Sequence, residues 1–141
     1  MRLTLRTERN SERGDNMVRL KVKGSFKKTM AFFKKASSND LYQILVKYAN
    51  EGVLALQQAT PKRTGKTAAS WEFEIEQSAD HFSIFWSNSN IVNGLNIALL
   101  IQLGHGTGRG VYVSGVNYID PALQPVFERM AKKLWLEVVD Q

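Results

Sequence analysis

The residues that most resemble a chemical site are Gly65, Lys66 and Thr67, which match the last three positions of a phosphate-binding P-loop. A P-loop also requires a glycine five positions before Gly65, where this chain has Thr60. It further requires a strand before the loop and a helix after it, so that the helix N-terminus faces the phosphate. Here a helical pattern precedes the loop and an alternating strand pattern follows it. The sequence therefore argues against a nucleotide site and predicts a corner between two elements.

A second candidate is the glycine run, in which Gly104, Gly106, Gly108 and Gly110 alternate with other residues. A dinucleotide fingerprint that starts at Gly104 would need a third glycine at position 109 and a helix directly after it, and the sequence offers neither. We expect a long loop or an extended hairpin, whose backbone is either flexible or packed closely on a neighbour. His105 has no nearby cysteine, second histidine or carboxylate, so we interpret it as a loop residue rather than a ligand or base.

Other groups that could carry catalysis are missing from the sequence or poorly placed in it. The chain has no cysteine and two histidines, which argues against a disulfide, a thiolate zinc site and a cysteine nucleophile. Glu72, Glu74 and Glu76 recur at every second position of a strand pattern, which is typical of a solvated face rather than an acid–base pair. Nothing marks a nucleophile elbow. We therefore expect no enzyme, with no catalytic residue, no cofactor and no metal ion.

The composition indicates one globular domain with an uneven charge. The 141 residues can bury a single core, and no apolar run reaches the roughly 18 residues of a membrane-spanning helix. The N-terminus has no apolar segment typical of a secretory signal. Residues 1–36 hold eleven basic and three acidic residues, a formal charge of +8, whereas the other 105 residues hold eight and ten, or −2. The sequence predicts a slightly acidic domain with a basic N-terminal arm.

The first sixteen residues look foreign to this domain. They are polar and charged without hydrophobic periodicity, so we predict that residues 1–16 are a disordered extension. The residues just before Met17 back-translate into a purine-rich stretch that resembles a ribosome-binding site. We therefore hypothesise that Met17 is the natural initiator and that residues 1–16 come from an over-called start.

Residues 17–141 are predicted to form a single domain that begins with the basic arm, residues 17–36. The arm combines a strand pattern over 18–24 with an amphipathic helical pattern over 26–36. The apolar stripe of that helix would pack on the domain, although a basic amphipathic helix can also lie on a membrane surface.

Two long helices and an aromatic hairpin make up the rest of the pattern. An apolar stripe predicts a helix over 38–60 that ends before Pro61. Alternating aromatic residues over 71–87 predict an antiparallel hairpin, and a short apolar helix over 96–104 follows. A long C-terminal helix then starts with Asp120 as its N-cap. The fold class is therefore α+β: a small antiparallel sheet, made of the aromatic hairpin and edge strands, packed by a long central helix and a long C-terminal helix.

The basic residues leave a second function open. Lys62, Arg63 and Lys66 cluster in one loop, the N-terminal arm is basic, and aromatic residues could stack on bases. The aromatic residues of the hairpin nevertheless lie on an apolar face, where core packing is the expected role. A basic nucleic-acid-binding accessory protein is therefore the alternative function.

Two segments, taken in order, resemble one family of phage proteins. ATPKRTGKTAASWEFEI, residues 59–75, is similar to the Thr-Pro-x-x-Thr-Gly-x-small-x-x-Ser-aromatic signature of tail-completion proteins of long-tailed bacteriophages, which are also described as minor tail or head–tail joining proteins. IALLIQLGHGTGRGVYVSGVNYIDPALQPVFERMAKKLWLEV, residues 97–138, is similar to the family's second signature, an apolar segment, a Gly-x-Gly-Thr loop and an aromatic entry to a Pro-Ala-Leu helix. The resemblance spans roughly residues 18–138 and has no counterpart in residues 1–16.

That resemblance implies a non-enzymatic structural virion protein. Members of the family are thought to form a ring, usually hexameric, at the neck between head and tail. The implied partners are therefore other copies of the chain, a head-connector or adaptor protein and a tail-tube protein. DNA would be only the passing genome, without sequence-specific binding, and no membrane would take part. The implied location is the neck of the virion, and the host cytoplasm during assembly.

The positions that match the two motifs are implied to be interface or structural residues. The loop and subunit-interface candidates are Thr60, Pro61, Lys62, Arg63, Thr64, Gly65, Lys66, Gly104, His105, Gly106, Thr107, Gly108, Arg109, Gly110 and Tyr112. The structural candidates are Ser70, Trp71, Pro121, Ala122 and Leu123. We expect the loops and the basic arm to become ordered when neighbours bind, and a spare sheet edge would suit strand addition between copies.

Overall fold

The computed structural model describes residues 2–9, 18–25, 38–62, 65–77 and 81–139, and it has the α+β architecture that the sequence predicts. The helices are α1 (Ser38–Ala59), α2 (Lys66–Ala69), α3 (Ile97–Leu103) and α4 (Ile119–Val139). The strands are β1 (Arg2–Arg9), β2 (Val18–Ser25), β3 (Trp71–Gln77), β4 (His81–Asn88), β5 (Ile91–Val92), β6 (Leu95–Asn96), β7 (Gly104–Gly106) and β8 (Tyr112–Ser114).

The main sheet is antiparallel, with the strand order β1-β2-β4-β3. The predicted aromatic hairpin is confirmed, since β3 and β4 pair in register along their length. Phe73 stands opposite Trp86 and Ile75 stands opposite Ile84, so one face of the hairpin is apolar. The strands β5 and β6, and β7 and β8, form two small separate hairpins.

The hydrophobic core lies between this apolar face and the two long helices. Apolar residues at helical spacing on α1 and α4 supply one side of it, as the sequence predicts. The largest fully buried side chains are Leu45, Leu56, Phe82, Ile84, Trp86, Leu123, Met130 and Leu134. On the surface, Arg129 of α4 and Glu51 of α1 form an ion pair at 3.2 Å, which exposure limits to about 1 kcal/mol or less.

Gly52 lies inside the continuous helix α1, and the sequence predicts that it allows another backbone to approach. That prediction is wrong about the neighbour, because the group that packs on Gly52 is the indole ring of Trp86 rather than a backbone. A Cβ atom at Gly52 would lie 2.6 Å from three atoms of the indole. The indole Nε1 donates a hydrogen bond to the Ala49 carbonyl at 3.0 Å, so the ring lies flush against the helix backbone. The glycine therefore makes room for the largest side chain of the core.

The prediction of a disordered extension is wrong for Arg2–Arg9, which forms β1 and pairs with β2 over its whole length. Leu3 and Leu5 alternate with polar residues, a strand pattern that the charged composition concealed. The ladder is held by backbone hydrogen bonds, which polar and charged residues can make as well as apolar ones. The predicted helix of the basic arm, residues 26–36, lies outside the described residues.

Candidate functional site

Thr60 fixes the first motif to the body of the protein. The helix α1 ends at Ala59, before Pro61, as predicted. Thr60 is only 2% exposed, and its hydroxyl donates a hydrogen bond to the Leu56 carbonyl. The same hydroxyl accepts a hydrogen bond from Trp71 Nε1 at 2.9 Å. One side chain thus joins the end of the central helix to the start of β3, and it satisfies an indole N–H that is buried in the core.

Tyr118 brings the second motif to the same place. Its ring is 5% exposed, and its hydroxyl donates to the Ala98 carbonyl of α3 at 2.9 Å. Burial raises the pKa of the Tyr118 phenol well above its usual value, and a hydrogen bond with the Thr60 side chain opposes that rise only in part. Tyr118 therefore remains a neutral hydrogen-bond donor. We call Thr60, Trp71 and Tyr118 together the corner.

A one-turn helix, α2, lies in the loop of the first motif. It follows Gly65, whose φ of 80° is left-handed and suits glycine, and it ends where the Ser70 hydroxyl donates to the Lys66 carbonyl at 2.6 Å. The expectation that no helix follows Gly65 is therefore wrong for these four residues. The element before the loop is nevertheless the helix α1 rather than a strand, so the arrangement of a P-loop is not formed.

The basic residues of this loop lie on the surface where the structure describes them. Lys62 and Lys66 are exposed, as is Pro61, while Arg63 and Thr64 lie outside the described residues. An open groove of about 380 Å³ beside the loop is lined by Gln57, Gln58, Lys62, Gly65, Ala68 and Ala69. Amides, alanines and one lysine in that lining offer no acid–base pair.

Three buried asparagines, which no sequence pattern predicted as site residues, connect this loop to the end of β4. Asn88 Nδ2 donates to the Thr67 carbonyl at 2.8 Å, and Asn88 Oδ1 accepts the backbone N–H of Asn90 at 3.0 Å. Asn90 Nδ2 donates to Thr67 Oγ1 at 2.9 Å. Asn96 donates to the Asn88 carbonyl at 3.2 Å and caps α3 at the N–H of Leu99. The stretch SNSN, residues 87–90, could have indicated this network from sequence, because asparagine side chains favour local hydrogen bonds in turns.

The glycine run of the second motif forms a short hairpin. The strands β7 and β8 pair from Gly104 opposite Ser114 to Gly106 opposite Tyr112. At the turn, the N–H of Thr107 donates to the Val111 carbonyl at 2.6 Å. The sequence left open a long loop or an extended hairpin, and the structure has a hairpin with strands of three residues each. We call residues 104–115 the glycine hairpin.

Two glycines hold the base of the glycine hairpin against α3 by close backbone packing, which is the second of the two alternatives that the sequence left open. A Cβ atom at Gly104 would lie 2.6 Å from the Val113 carbonyl oxygen, and one at Gly115 would lie 2.5 Å from the Gln102 carbonyl oxygen. Gly104 ends α3 with a positive φ of 80° and a ψ of 168°, which lies outside the left-handed helical region. Glycine is the residue that adopts this conformation without strain.

Gln102 connects the end of α3 to the start of α4. Its Oε1 accepts the backbone N–H groups of Tyr118 and Ile119 at 3.0 and 3.1 Å, and its Nε2 donates to Asn117 Oδ1 at 2.7 Å. The helix α4 begins at Ile119, so the predicted N-cap, Asp120, instead lies in the first turn. The capping oxygen comes from another helix, and no local sequence pattern could have revealed it.

The glycine hairpin and its flanks expose apolar side chains. The exposed apolar residues are Leu103, Val111, Tyr112, Val113 and Val116. Tyr112 is 65% exposed, although its hydroxyl donates to the Leu103 carbonyl at 3.0 Å. His105 is half-buried, and its Nδ1 has no hydrogen-bond partner. The turn residues Thr107, Gly108, Arg109 and Gly110 are exposed. An apolar surface on an anchored hairpin is typical of an interaction site.

The Pro-Ala-Leu segment lies at the start of α4. Leu123 is fully buried in the core, and Ala122 packs partly against it. The N–H of Ala122 donates to the Tyr118 carbonyl at 3.2 Å, whereas Pro121 is exposed. Because Leu123 is anchored in the core only five residues after Tyr118, this segment helps to hold Tyr118 in position.

Among the residues that the structure describes, no group of three or more histidine or acidic side chains could hold a metal ion. No helix in the described ranges is long and apolar enough to cross a membrane. The described side chains bring together hydrogen-bonding groups at the corner and apolar groups at the glycine hairpin.

Comparisons with known proteins give no relative of this chain. No protein-family model matches it, and no curated protein or solved structure shows significant similarity to it. The resemblance to tail-completion proteins therefore rests on the two motifs.

Proposed function

We propose that this chain is a non-enzymatic structural virion protein that assembles into a ring, with six copies as the expected number, at the head–tail interface of a long-tailed phage or prophage. It joins the head connector to the tail tube. The meeting of the two motifs at the corner carries this proposal. Thr60 of the first motif accepts a hydrogen bond from Trp71 and also interacts with the Tyr118 hydroxyl of the second motif, so the segments that resemble the family are parts of one site.

The glycine hairpin supplies a surface that such a role needs. It is fixed at its base by close backbone packing, and it holds Val111, Tyr112 and Val113 in solvent. Burial of apolar side chains like these by another subunit, or by a connector or tail-tube protein, would drive assembly. DNA passes through the ring without sequence-specific recognition.

Removal of the glycine hairpin tests the proposal. In a phage that carries this gene, deletion of residues 106–115 is expected to leave a folded protein and unjoined heads and tails in negative-stain images. The triple substitution Val111→Ser, Tyr112→Ser and Val113→Ser keeps the backbone and should have the same effect. A matched control is Leu54→Ser, which removes a 57% exposed leucine from α1 and should permit normal joining. Normal titres of infectious particles with the triple variant would contradict the proposal.

One observation favours the alternative of nucleic-acid binding. The strands β1 and β2 are neighbours, and together they collect the basic residues Arg2, Arg6, Arg9, Arg19, Lys21 and Lys23. If binding is the main role, affinity for DNA should be high and should fall steeply with salt, by about 0.9 in log K per log salt for each neutralised phosphate. Weak binding together with concentration-dependent oligomers would favour the ring.

A further inference from the structure

The main sheet has two edges that carry opposite charges. Its strand order leaves β1 and β3 each paired on one side only among the described strands. The edge strand β3 has three exposed glutamates and no basic residue, whereas β1 has three arginines and one glutamate. The strand next to β1 adds three more basic residues and no acid. An edge offers backbone N–H and C=O groups to a further strand, and here each edge also has a charge that attracts the other.

The apolar face of the sheet is incompletely covered at the β3 edge. Phe73 and Ile75 are half-buried, although their register partners on β4, Trp86 and Ile84, are 1% and 0% exposed. The register continues that face through β2 to Leu5 and Leu3 of β1. Each edge therefore presents apolar positions on one face of the sheet and charged positions on the other.

The directions of the strands allow the two edges to join. Because β1, β2, β4 and β3 are antiparallel at each step, β3 runs opposite to β1. A second copy in the same orientation would place its β1 antiparallel to β3 of the first copy, with both helical layers on the same side of a continuous sheet. Antiparallel pairing of this kind is the usual form of strand addition.

We propose that β3 of one copy pairs antiparallel with β1 of a second copy of this chain, head to tail. One register satisfies both faces. It sets Glu72 opposite Arg6, Glu74 opposite Thr4 and Glu76 opposite Arg2. On the other face it sets Phe73 opposite Leu5 and Ile75 opposite Leu3. A slip of two residues in one direction would set Glu72 opposite Glu8, and a slip in the other would lose one arginine pair.

This contact uses two different surfaces of the same chain, so it repeats from copy to copy until a ring closes or a filament grows. It identifies the subunit contact of the ring, and because it uses β1 it opposes the hypothesis that Met17 is the natural initiator. For ring closure it rests on the proposed function. The opposite charges of the edges and their matching apolar positions do not depend on that function.

Disulfide trapping tests the register, because the chain has no cysteine of its own. Thr4→Cys and Glu74→Cys in one chain should give a ladder of covalent multimers under mild oxidation. Within one copy, β1 and β3 are three strand spacings apart, about 14 Å, which exceeds the Cα separation of about 7 Å that a disulfide tolerates. The matched control is Glu8→Cys with Glu74→Cys, which shifts one thiol by four residues, or about 13 Å. Equal cross-linking of both pairs, or none of either, would overturn the register.

An exchange of charges tests the pairing in the unmodified backbone. Glu72→Lys with Glu76→Lys makes both edges basic, and Arg2→Glu with Arg6→Glu makes both acidic. Each variant alone should associate at least about tenfold more weakly than the natural chain in sedimentation velocity at low salt. A mixture of the two should recover association, because every edge then meets its opposite. Equally weak association in the mixture, or natural association of each variant, would overturn the proposal.

The two proposals fail separately. If multimers form but positions 4 and 74 of neighbouring copies do not cross-link, the edge contact is overturned and the proposed ring stands. If the disulfide between positions 4 and 74 forms but the glycine-hairpin variants still join heads to tails normally, the proposed function is overturned and the edge contact stands.

Discussion

The corner and the glycine hairpin contain similar residue types in opposite surroundings. At the corner, Thr60, Trp71 and Tyr118 are at most 5% exposed, and their polar atoms are bonded to one another or to helix carbonyls. In the glycine hairpin, Tyr112 also bonds a helix carbonyl, but its ring is 65% exposed. The first region holds three elements together, and the second is held by its backbone and offers its side chains to solvent.

The first motif region therefore contributes mainly to stability, and the glycine hairpin of the second motif contributes mainly to contact with partners. A change at the corner should alter the free energy of unfolding, whereas the same change in the glycine hairpin should alter binding. Matched substitutions, one in each region, can therefore confirm or contradict this difference in role.

The largest contrast is expected between two leucines. Leu123→Ala creates a cavity at a fully buried position at the start of α4, and it should reduce the free energy of unfolding by about 2–5 kcal/mol. Leu103→Ala removes a side chain that is 51% exposed beside the glycine hairpin, and it should cost less than about 0.5 kcal/mol. Urea denaturation of both variants measures the difference. Similar losses would show that the hairpin belongs to the cooperative core.

Two threonines provide the next contrast. Thr60→Val keeps the shape of the side chain but leaves Trp71 Nε1 without its acceptor, and it should cost about 1–3 kcal/mol. Thr107→Val changes an exposed residue at the tip of the glycine hairpin and should stay within about 0.5 kcal/mol of the natural chain. The check is chemical denaturation, with tryptophan fluorescence as the signal. An unchanged stability of Thr60→Val would mean that the corner does not depend on its hydroxyl.

Two tyrosines give a smaller contrast with a characteristic pH dependence. Tyr118→Phe removes a buried bond to the Ala98 carbonyl and should cost about 1–2 kcal/mol at neutral pH, whereas Tyr112→Phe should cost about 0.5 kcal/mol or less.

Burial raises the pKa of Tyr118 above its ordinary value of 10.0, so the unfolded chain releases the phenolic proton first as the pH rises. The contribution of Tyr118 to the free energy of unfolding is therefore fully present below pH 10. As the pH rises above 10 it is lost, at a slope of up to about 1.4 kcal/mol per pH unit. The cost of Tyr118→Phe should therefore shrink above pH 10. Denaturation of this variant and of the natural chain at pH 8, 10 and 11 checks this, and a cost that stays constant up to pH 11 would contradict it.

The parts of this fold that were predictable from sequence are those with local periodicity. The stripe of α1, the alternation in β3 and β4 and the apolar face of α4 each bury residues at a fixed spacing, so the spacing revealed them. Pro61 ended α1 for an equally local reason, since proline disfavours the helical conformation of the residue before it.

The parts that sequence did not reveal depend on partners far along the chain. Gln102 caps α4 from another helix, Trp86 fills the space at Gly52, and the buried asparagines connect the end of β4 to Thr67. The strand β1 was missed because its charged composition concealed the alternation of Leu3 and Leu5 with polar residues. At the candidate site, the sequence drew attention to the two motif segments but did not identify Tyr118, whose side chain interacts with Thr60 of the first motif.

The smallest expected effect on stability separates anchoring from exposure within the glycine hairpin itself. A Cβ atom at Gly115 would meet the backbone of Gln102 and Leu103, whereas one at Gly108 would meet nothing within 4 Å, and neither glycine needs a positive φ. Gly115→Ala should therefore loosen the hairpin from α3, with a global loss below about 1 kcal/mol, because few core residues depend on it.

The hydrogen bond from the Val116 N–H to the Ile101 carbonyl reports this loosening. In Gly115→Ala, amide exchange at Val116 should accelerate much more than exchange in α1, and head–tail joining should weaken. Gly108→Ala should change neither. If Gly115→Ala instead unfolded the whole chain at lower urea, the hairpin would be part of the body, and the distinction between a stabilising corner and a binding hairpin would fail.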